Sequence, residues 1–389
     1  MKIAFVFDDT LDAPDGIQQH IRMLGREYAR RGHDVHYLVG QTQAAQSDPA
    51  WDFATIHPLA RNVPVKFNGN RMRIPLPSSD RALRTLLTRE RFDVLHVQAP
   101  YSPFMSGKVL AAAHRLTPLT PVFATYHIAV DSGIAMAGGM ALGRVIDART
   151  ARYVTRSLAV SSVAADYARR TAGVTATVVP NPIDVEAMRA GAGDVRPERH
   201  HVVFLGRFVE RKGVGVLLDA LEWGEVHGLF PDDMHVTMAG GGPLLESARA
   251  RAAGLRTRID FPGRISEEGK AAFLASGQVA VFPATGAESF GIVLLEAIAA
   301  GSGVVLAGDN PGYRSTMMGR DDVLLDTTGP DHAEAMARAI ARAVTDESWA
   351  AEAGAWERET LLPRYDVRSV AGTLLDMYAE AQGVRTIRA

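Results

Sequence analysis

Two glutamates spaced eight residues apart, Glu288 and Glu296, are the residues of this sequence whose type and spacing most directly suggest chemistry. The apolar run before them, Gln278–Ala284, predicts a buried parallel strand that ends at a proline. Glu288 would then lie in the loop at the carboxyl end of a strand, where open α/β sheets bind ligands. Glu296 would lie about two turns along the next helix. Two such carboxylates suit two separate polyhydroxyl groups better than one metal ion. On spacing alone, a solvated helix face with two acids is the commoner explanation.

The residues after Glu288 form the predicted start of that helix. Ser289 can cap it, because a serine oxygen accepts from a free backbone amide of the first turn. The remaining free amides and the positive end of the helix dipole favour an anion at this point. We therefore predict ligand contacts from four consecutive residues, Ser289, Phe290, Gly291 and Ile292.

A second loop carries cations in the pattern that an anionic leaving group needs. Arg207 and Lys212 follow the predicted strand 201–206 and precede a helix, so both can reach a ligand at the end of the strand. Arginine supplies a forked donor and lysine a point charge, which together suit a diphosphate. Alone the pattern is weak, because loops often carry two solvated cations.

Together, these two strings resemble a known family. The string ESFGIVLLEAIAAG, from Glu288 to Gly301, resembles the E-x7-E signature of retaining glycosyltransferases of the GT-B fold, family 4. The loop at 206–213 resembles that family's GR…KG element, in which the arginine and the lysine before the glycine bind the donor's diphosphate. Arg211 is therefore the less expected diphosphate partner. The resemblance implies that Glu288 orients the sugar hydroxyls and Glu296 the ribose.

Three weaker elements are also similar to the family. Its usual Gly-Gly at the first strand–helix loop is here Asp15-Gly16, and Gly16 can still present its amide near a phosphate. Gly241, within the Gly-Gly-Gly-Pro at 240–243, corresponds to a G-x-G-P turn that approaches the nucleotide, although a pure turn role is nearly as simple. The segment 261–270 lies where family members hold the nucleobase, so we assign the base to Glu267 and Lys270. Glu267 could accept the N–H groups of guanine.

The element Ala124–His127 resembles the A-T-[FY]-H element of phosphatidylinositol mannosyltransferases. This resemblance implies that His127 lies near the donor sugar. Without it, a lone histidine at the edge of a sheet is more often structural. Further similarities to that subgroup are at 63–69, 92–97 and 179–181. Proline replaces the family's glycine at Pro182. Gln18 and His20, on the first turns of the first helix, could face the acceptor or be structural.

The resemblance implies a glycosyltransferase that moves a hexose, most simply α-mannose from GDP-mannose, to a hydroxyl of a lipid or glycolipid such as phosphatidylinositol. No nucleophile stands opposite a general acid, which favours front-side displacement with a diphosphate oxygen taking the acceptor proton. We expect no cofactor, no metal, since the motif loops lack Asp-x-Asp, and no nucleic-acid partner. A UDP-sugar donor, a polysaccharide or small-molecule acceptor, and a non-catalytic nucleotide-sugar-binding protein remain alternatives. A dehydrogenase is weakened by the missing G-x-G-x-x-G.

Composition narrows the class of protein. The 389 residues contain 47% apolar residues and no cysteine, which excludes disulfides, thiolate metal sites and thiol catalysis. Residues 1–184 contain 21 Lys and Arg against 15 Asp and Glu, whereas residues 185–389 contain 21 against 29. A basic first half could face anionic lipid, or the asymmetry could be ordinary variation between domains. Without a signal peptide or spanning run, we expect a cytoplasmic protein, possibly peripheral at the inner face of a membrane.

The loops described above follow the strands of a pattern in which strands and helices alternate along the sequence. Predicted strands lie at 2–7, 34–40, 92–98, 121–127, 156–161, 177–180, 201–206, 235–240, 258–262, 278–283 and 303–307. This pattern predicts an α/β protein of the GT-B kind, with two Rossmann-like, doubly wound domains facing across a cleft. We assign residues 1–184 to an acceptor domain and 200–364 to a donor domain, with a linker at 181–199. By resemblance, a last helix at about 367–389 crosses back onto the first domain.

One further predicted helix is relevant to whether the protein contacts a membrane. The segment Asp80–Arg91 predicts a basic amphipathic helix with Leu83, Leu86 and Leu87 on one side. A buried stripe beneath a solvated basic face is the simplest interpretation. In the lipid-mannosylating relatives the corresponding region touches anionic membrane, so the resemblance also implies a membrane surface here.

Overall fold

A computed structural model describes residues 1–12, 15–67, 70–75, 79–100, 105–127 and 151–388, and the side chains of 64–67, 70–75 and 384–388 are not described. Asn68 and Gly69, which end the similarity at 63–69, lie outside the described residues. The chain forms two compact units. Unit 1 comprises Met1–Pro182 and Val367–Ala389, and unit 2 comprises Ile183–Asp366.

Unit 1 is built on a parallel sheet with the strand order β3-β2-β1-β6-β7-β8-β9. Its strands are β1 (Lys2–Phe7), β2 (Asp34–Val39), β3 (Thr55–Pro58), β6 (Val94–Gln98), β7 (Val122–Tyr126), β8 (Arg156–Ala159) and β9 (Thr177–Val178). An antiparallel hairpin, β4 (Asn62–Phe67) and β5 (Asn70–Pro75), stands apart from this sheet. Its helices are α1 (Gly16–Arg30), α2 (Asp80–Glu90), α3 (Ser106–Leu116), α4 (Ser162–Ala172) and the last helix, α14 (Val367–Arg388).

Unit 2 repeats the design with a six-stranded parallel sheet in the order β12-β11-β10-β13-β14-β15. Its strands are β10 (Glu198–Leu205), β11 (His235–Ala239), β12 (Arg258–Gly263), β13 (Gly277–Phe282), β14 (Val304–Gly308) and β15 (Leu324–Leu325). Its helices are α5 (Val185–Ala192), α6 (Val214–Val226), α7 (Leu245–Ala252), α8 (Glu267–Ala275), α9 (Ile292–Ala300), α10 (Pro311–Thr316), α11 (His332–Thr345), α12 (Glu347–Trp356) and α13 (Leu362–Tyr365).

The central strands read as apolar runs because both faces of each sheet are covered by helices. Every residue of β6, β7 and β14 is buried, and the same holds for β1 after its first residue. The predicted architecture of two parallel-sheet α/β domains is confirmed.

Most of the segment 181–199, which the sequence predicted to be a linker, is part of unit 2. Residues 185–192 form α5, which packs against α8 and α9 within unit 2. Ile183 already belongs to unit 2, where its amide donates to the carbonyl oxygen of Tyr365 at 2.8 Å. The unit boundary therefore falls directly after Pro182.

The last helix belongs to unit 1, where Tyr378 anchors it. Its ring is fully buried and lies 4.7 Å from the ring of Phe123, edge to face. Its hydroxyl lies 2.6 Å from His96 Nδ1, and Nε2 of that histidine lies 2.6 Å from Thr125 Oγ1. The helix is thus tied by hydrogen bonds as well as by packing to two central strands, β6 and β7. Of the described helices, none combines the length and apolarity needed to cross a membrane.

Candidate functional site

The strand order of unit 2 places two of the predicted loops side by side. After β10 the chain continues to β11 on one side, whereas β13 pairs with the other side of β10. The order of strands therefore reverses between β10 and β13, and open α/β sheets bind ligands beyond the carboxyl ends of strands at such a point. The loop 206–213 follows β10 and the loop 283–291 follows β13, so both flank this position.

Close backbone packing holds these two loops together. Gly213 has φ +71°, and a Cβ at this residue would lie 1.8 Å from the carbonyl oxygen of Pro283. Only glycine fits a backbone that is both left-handed and so close to another chain segment. The amide of Thr285 also donates to the carbonyl oxygen of Arg211 at 3.0 Å. These contacts explain why a glycine follows Lys212 and fix where the lysine side chain begins.

Glu288 forms ion pairs with two cationic side chains. Its Oε1 lies 2.7 Å from Lys212 Nζ and 2.7 Å from Arg211 NH1. The carboxylate side chain is 12% exposed and the lysine 19%, so this contact is largely shielded from water. Ala287, immediately before it, has φ +56°, a conformation that costs energy for a residue with a Cβ. The strained turn presents Glu288 to both cations.

The start of α9 differs from the prediction. The helix begins at Ile292, its N-cap is Gly291, and no side chain caps it, so the predicted cap at Ser289 is wrong. The reason is tertiary: the amide of Gly291 donates to Thr316 Oγ1 at 3.1 Å, which takes the place of a local cap. Phe290 is buried and its ring meets that of Tyr365 edge to face, 5.6 Å away.

Glu296 lies in α9 and forms a second ion pair. Lys270 Nζ lies 2.7 Å from Glu296 and 2.8 Å from Glu267, so the lysine bridges the two carboxylates. Burial raises the pKa of Glu296, and Lys270 opposes that rise. Glu267, by contrast, is 64% exposed. The structure thus brings together three of the predicted nucleotide-binding residues, and the carboxylate of Glu296 is the shielded member.

The loop after β11 packs directly on the loop that carries Arg207. The amide of Phe208 donates to the carbonyl oxygen of Gly241 at 3.1 Å. A Cβ at Gly240, where φ is +140°, would lie 1.8 Å from the carbonyl oxygen of Gly206. A strict need for glycine therefore falls on Gly240 and on Gly242, where φ is +157° and a Cβ would lie 2.5 Å from the carbonyl oxygen of Phe208. Gly241, the residue predicted to approach the nucleotide, has no such need. Arg207 itself is exposed at this edge.

In unit 1, Gly16 begins α1 without a glycine-specific backbone. Asp15 is extended, at φ −136°, and its carboxylate accepts from the amide of Gln18 at 2.7 Å as the N-cap. The aspartate that replaces the family's first glycine thus has a local structural role. Gly16 is exposed, and a Cβ there would meet no atom within 4 Å among the described residues.

His127 follows β7 and lies in a group of buried polar side chains. Its Nε2 is 2.8 Å from Gln98 Oε1, and its ring meets that of His20 edge to face at 4.9 Å. An amide oxygen only accepts, so Nε2 carries the proton and Nδ1 can accept from a ligand hydroxyl. Burial, followed by His20 and His96, lowers the pKa of His127 well below its usual range. The ring is therefore neutral at physiological pH.

Two contacts of these sites were not predicted from the sequence. Arg211 binds Glu288 although its expected role was minor, and nothing local in the sequence indicates which carboxylate it meets. Gln98 ends β6 beside His127. Its position at the carboxyl end of a predicted strand is a signal that could have found it.

Comparison with known proteins adds sequence similarity to this geometry. Residues 14–187 match the family model described as Glycosyltransferase Family 4, and residues 199–346 match the one described as Glycosyl transferases group 1. The phosphatidyl-myo-inositol mannosyltransferase of Mycobacterium tuberculosis is 31% identical over 393 residues, which covers 98% of each chain. A GDP-mannose-dependent alpha-(1-6)-phosphatidylinositol monomannoside mannosyltransferase of the same organism is 26% identical, covering 96% of this chain and 97% of the relative.

Among solved structures, a sucrose-phosphate synthase from Thermosynechococcus elongatus superposes with a TM-score of 0.71, covering 99% of this chain and all of that one. The identity is 20%, so this likeness speaks for the fold alone. It confirms the GT-B fold that the sequence predicted.

Proposed function

This chain is a glycosyltransferase that belongs to Glycosyltransferase Family 4, and from that premise we propose that it transfers α-mannose from GDP-mannose to a hydroxyl of a phosphatidylinositol-type lipid or glycolipid, with retention at the anomeric carbon. The curated relatives support the choice of sugar and acceptor, since one is named for phosphatidylinositol and one for GDP-mannose as well.

The observation that carries this proposal is the contact between Lys212 and Glu288 at the carboxyl edge of β10 and β13. A partly shielded carboxylate that holds a lysine in place also keeps that lysine ready for the diphosphate of a donor. On donor binding, Lys212 and Arg207 neutralise the diphosphate, and Glu288 accepts hydrogen bonds from the sugar hydroxyls. Preorganised cations stabilise the charge that develops on the leaving group.

The nucleoside part of the donor belongs to the second ion pair. Glu296 accepts from the ribose hydroxyls, and Lys270, 2.7 Å away, opposes the rise in the pKa of that carboxyl that burial causes. Glu267, exposed beside that lysine, accepts from the N–H groups of guanine. Backbone amides of Ser289, Phe290, Ile292 and Gly241 complete the contacts of the donor, whereas the amide of Gly291 is already bonded to Thr316. In this proposal the cations replace a catalytic metal ion.

Unit 1 offers matching features for the acceptor. Gln18 Oε1 and both ring nitrogens of His20 are buried, and none has a hydrogen-bond partner of good geometry in the part of the chain that the structure describes. Burial, with a smaller opposing contribution from Asn181, lowers the pKa of His20 to about 4. Unpartnered buried polar groups are costly, so a hydroxyl-rich ligand such as inositol would remove that cost. His127 Nδ1, in the same group, accepts from a hydroxyl of the transferred sugar.

A donor and acceptor screen tests the proposal. Purified enzyme is incubated with GDP-mannose, UDP-glucose or UDP-N-acetylglucosamine, each with phosphatidylinositol, with a soluble oligosaccharide or with no acceptor. We expect mannosylated lipid from GDP-mannose alone, and an α-anomeric signal in the proton NMR spectrum of the product. Products formed only from a UDP-sugar, or only on the oligosaccharide, would replace the proposed donor or acceptor. A β-linked product would refute retention.

A further inference from the structure

Three side chains of types that can bind a metal ion lie at the opposite end of the unit 2 sheet from the proposed donor site. Glu198 and His201 are on β10, and His235 is the first residue of β11. One ligand atom from each lies within 4.8 Å of the others. About 17 Å of strand, at 3.3 Å per residue, separates His201 from Gly206 at the other end.

The backbone is shaped to bring these three side chains together. His201 and His235 are register partners on neighbouring parallel strands, so their side chains lie on one face of the sheet, where the rings stack at 4.2 Å. Glu198 is an odd number of residues before His201 and would point to the other face of a regular strand. His200, between them, has φ +58°, and the pairing of β10 with β13 shifts register here. This irregularity turns Glu198 towards the two histidines.

The distances fit ligands that share an ion better than they fit hydrogen bonds. Glu198 Oε2 lies 3.6 Å from His235 Nε2 and 3.9 Å from His201 Nδ1, both too long for a hydrogen bond. Ligands about 2.0–2.1 Å from a tetrahedral zinc ion stand about 3.4 Å apart. The rings of His201 and His235 lie nearly parallel, at an interplanar angle of 10°, so one ring must turn out of the stack before both can aim a nitrogen at the same ion. His235, whose side chain is 25% exposed against 7% for His201, is the ring that can turn.

The surroundings of His201 permit the tautomer that a ligand needs. In the metal-free chain its Nδ1 donates to the carbonyl oxygen of Ser276 at 3.1 Å, an oxygen that also accepts from the amide of Glu198 at 2.8 Å. Nε2 lies 2.9 Å from Thr237 Oγ1, a hydroxyl that can either donate to this nitrogen or accept from it. When a metal ion takes Nδ1, the ring proton is carried on Nε2 and accepted by Thr237. Two imidazoles and a carboxylate suit zinc and neighbouring transition metals rather than magnesium or calcium.

We propose that Glu198, His201 and His235 bind a divalent transition-metal ion of the zinc class, which joins the starts of β10 and β11. The ion has no part in sugar transfer, because it lies at the far end of the strands. It stabilises unit 2 by binding the folded state only. This inference is independent of the donor and acceptor proposed above.

Calorimetry with zinc chloride tests this site in the full chain, free of any affinity tag and freed of metal by chelation. We expect one zinc ion per chain, and at least tenfold weaker binding after His235→Ala or after Glu198→Gln. The matched controls, His332→Ala (27% exposed, on Asp219) and Glu222→Gln (57% exposed), should bind zinc like the parent. Cobalt should give the intense visible absorption of a tetrahedral site in the parent and in both control variants, and not in His235→Ala or Glu198→Gln. No zinc binding, or equal binding in all four variants, would overturn the proposal.

Discussion

At the scale of single residues, Lys212 and Arg211 contact the same carboxylate oxygen but have different expected roles. Lys212 is half as exposed as Arg211, 19% against 38%, and directly precedes the tightly packed Gly213. We expect Lys212→Ala to cut turnover by roughly 100-fold or more, as the loss of a charge-stabilising group does. Arg207→Ala should do the same, whereas Arg211→Ala, the matched control in this loop, should cost much less. Steady-state kinetics with GDP-mannose checks this, and unchanged turnover in both Arg207→Ala and Lys212→Ala would refute the diphosphate assignment.

Substitution of Glu288 and substitution of Glu296 are expected to affect different steps, turnover in the first case and donor binding in the second. Glu288→Gln should chiefly lower turnover, because it weakens contacts to the reacting sugar. Glu296→Gln should chiefly weaken binding, including that of GDP, which still carries the ribose; losing a charged partner costs about 1.5–3 kcal/mol. Isothermal titration of GDP into both variants measures this difference directly. If Glu288→Gln weakens GDP binding and Glu296→Gln leaves it intact, the two roles are reversed.

At the scale of elements, a π-helical turn at Glu357–Leu361 supports β14 through one buried carboxyl group. Glu357 accepts from the amide of Val305 with both oxygens, at 3.1 and 3.2 Å, and is 1% exposed. Burial raises its pKa to about 8 against the opposing effect of that amide. The folded chain therefore holds this proton more tightly than the unfolded chain, and the resulting stability is lost as pH rises.

We accordingly expect Glu357→Gln, which stays neutral, to alter the pH dependence of stability. Below pH 4.5 the group is protonated in both states of the parent, so its full contribution is present. Between about pH 4.5 and 8 the parent should lose stability relative to the variant, by up to about 5 kcal/mol at 1.4 kcal/mol per pKa unit. Urea unfolding of both proteins at pH 5, 6.5 and 8.5 measures it. Parallel stability curves would contradict the role of Glu357.

The last helix, α14, is tied to the unit 1 sheet by the buried hydroxyl of Tyr378 and by a partly exposed ion pair between Glu380 and Arg156 of β8. Tyr378→Phe keeps the ring against Phe123 but leaves His96 Nδ1 buried without its partner at 2.6 Å. The expected loss in the free energy of unfolding is about 1–3 kcal/mol. Tyr153→Phe, which removes a hydroxyl bonded to the exposed Arg152, is the control and should be nearly neutral. Thermal unfolding compares the two, and equal stability of Tyr378→Phe and the parent would show that this hydroxyl does not stabilise α14.

The elements found from sequence are those whose apolar pattern is set by the sheet itself. β6, β7, β13 and β14 are largely buried strands and appear as mostly apolar runs, with few polar residues such as His96, Thr125 and Gln278. β3 was missed because none of its four residues is fully buried. α5 was missed because it is eight residues long and contains a glycine, so its helical pattern is weak.

The loops of the candidate site could be predicted from the sequence, but the partners of individual residues within it could not. Loops at the carboxyl ends of strands could be placed because parallel strands end at one edge. The cap of α9 could not, because Thr316, 25 residues further along the chain, supplies the acceptor. The local sequence shows which side chains are able to cap a helix or form an ion pair. Tertiary packing determines which partners they have.

At the scale of the whole molecule, the basic excess of residues 1–184 has a defined surface on α2. Leu83, Leu86 and Leu87 are buried, so the interpretation as a buried stripe beneath a basic face is confirmed. Arg81, Arg84, Arg89 and Arg91 are exposed. Arg81 and Arg89 also line a cavity of about 510 Å³ between α2 and β3. Any attraction of α2 to a membrane must therefore come from its charge rather than from these leucines.

We expect salt-sensitive sedimentation with anionic vesicles, because each basic residue near such a surface contributes about 1 kcal/mol and added salt screens it. Changing Arg81, Arg84, Arg89 and Arg91 together to Gln should weaken binding to vesicles of phosphatidylinositol and phosphatidylcholine by more than tenfold. The control changes four exposed arginines of the acidic unit 2 to Gln, namely Arg249, Arg256, Arg338 and Arg342, and so alters the net charge equally. A specific basic surface requires the first variant to lose binding and the control to keep it. Equal losses would show that net charge alone acts, and equal binding to neutral and anionic vesicles would remove electrostatic attraction as the basis of membrane contact.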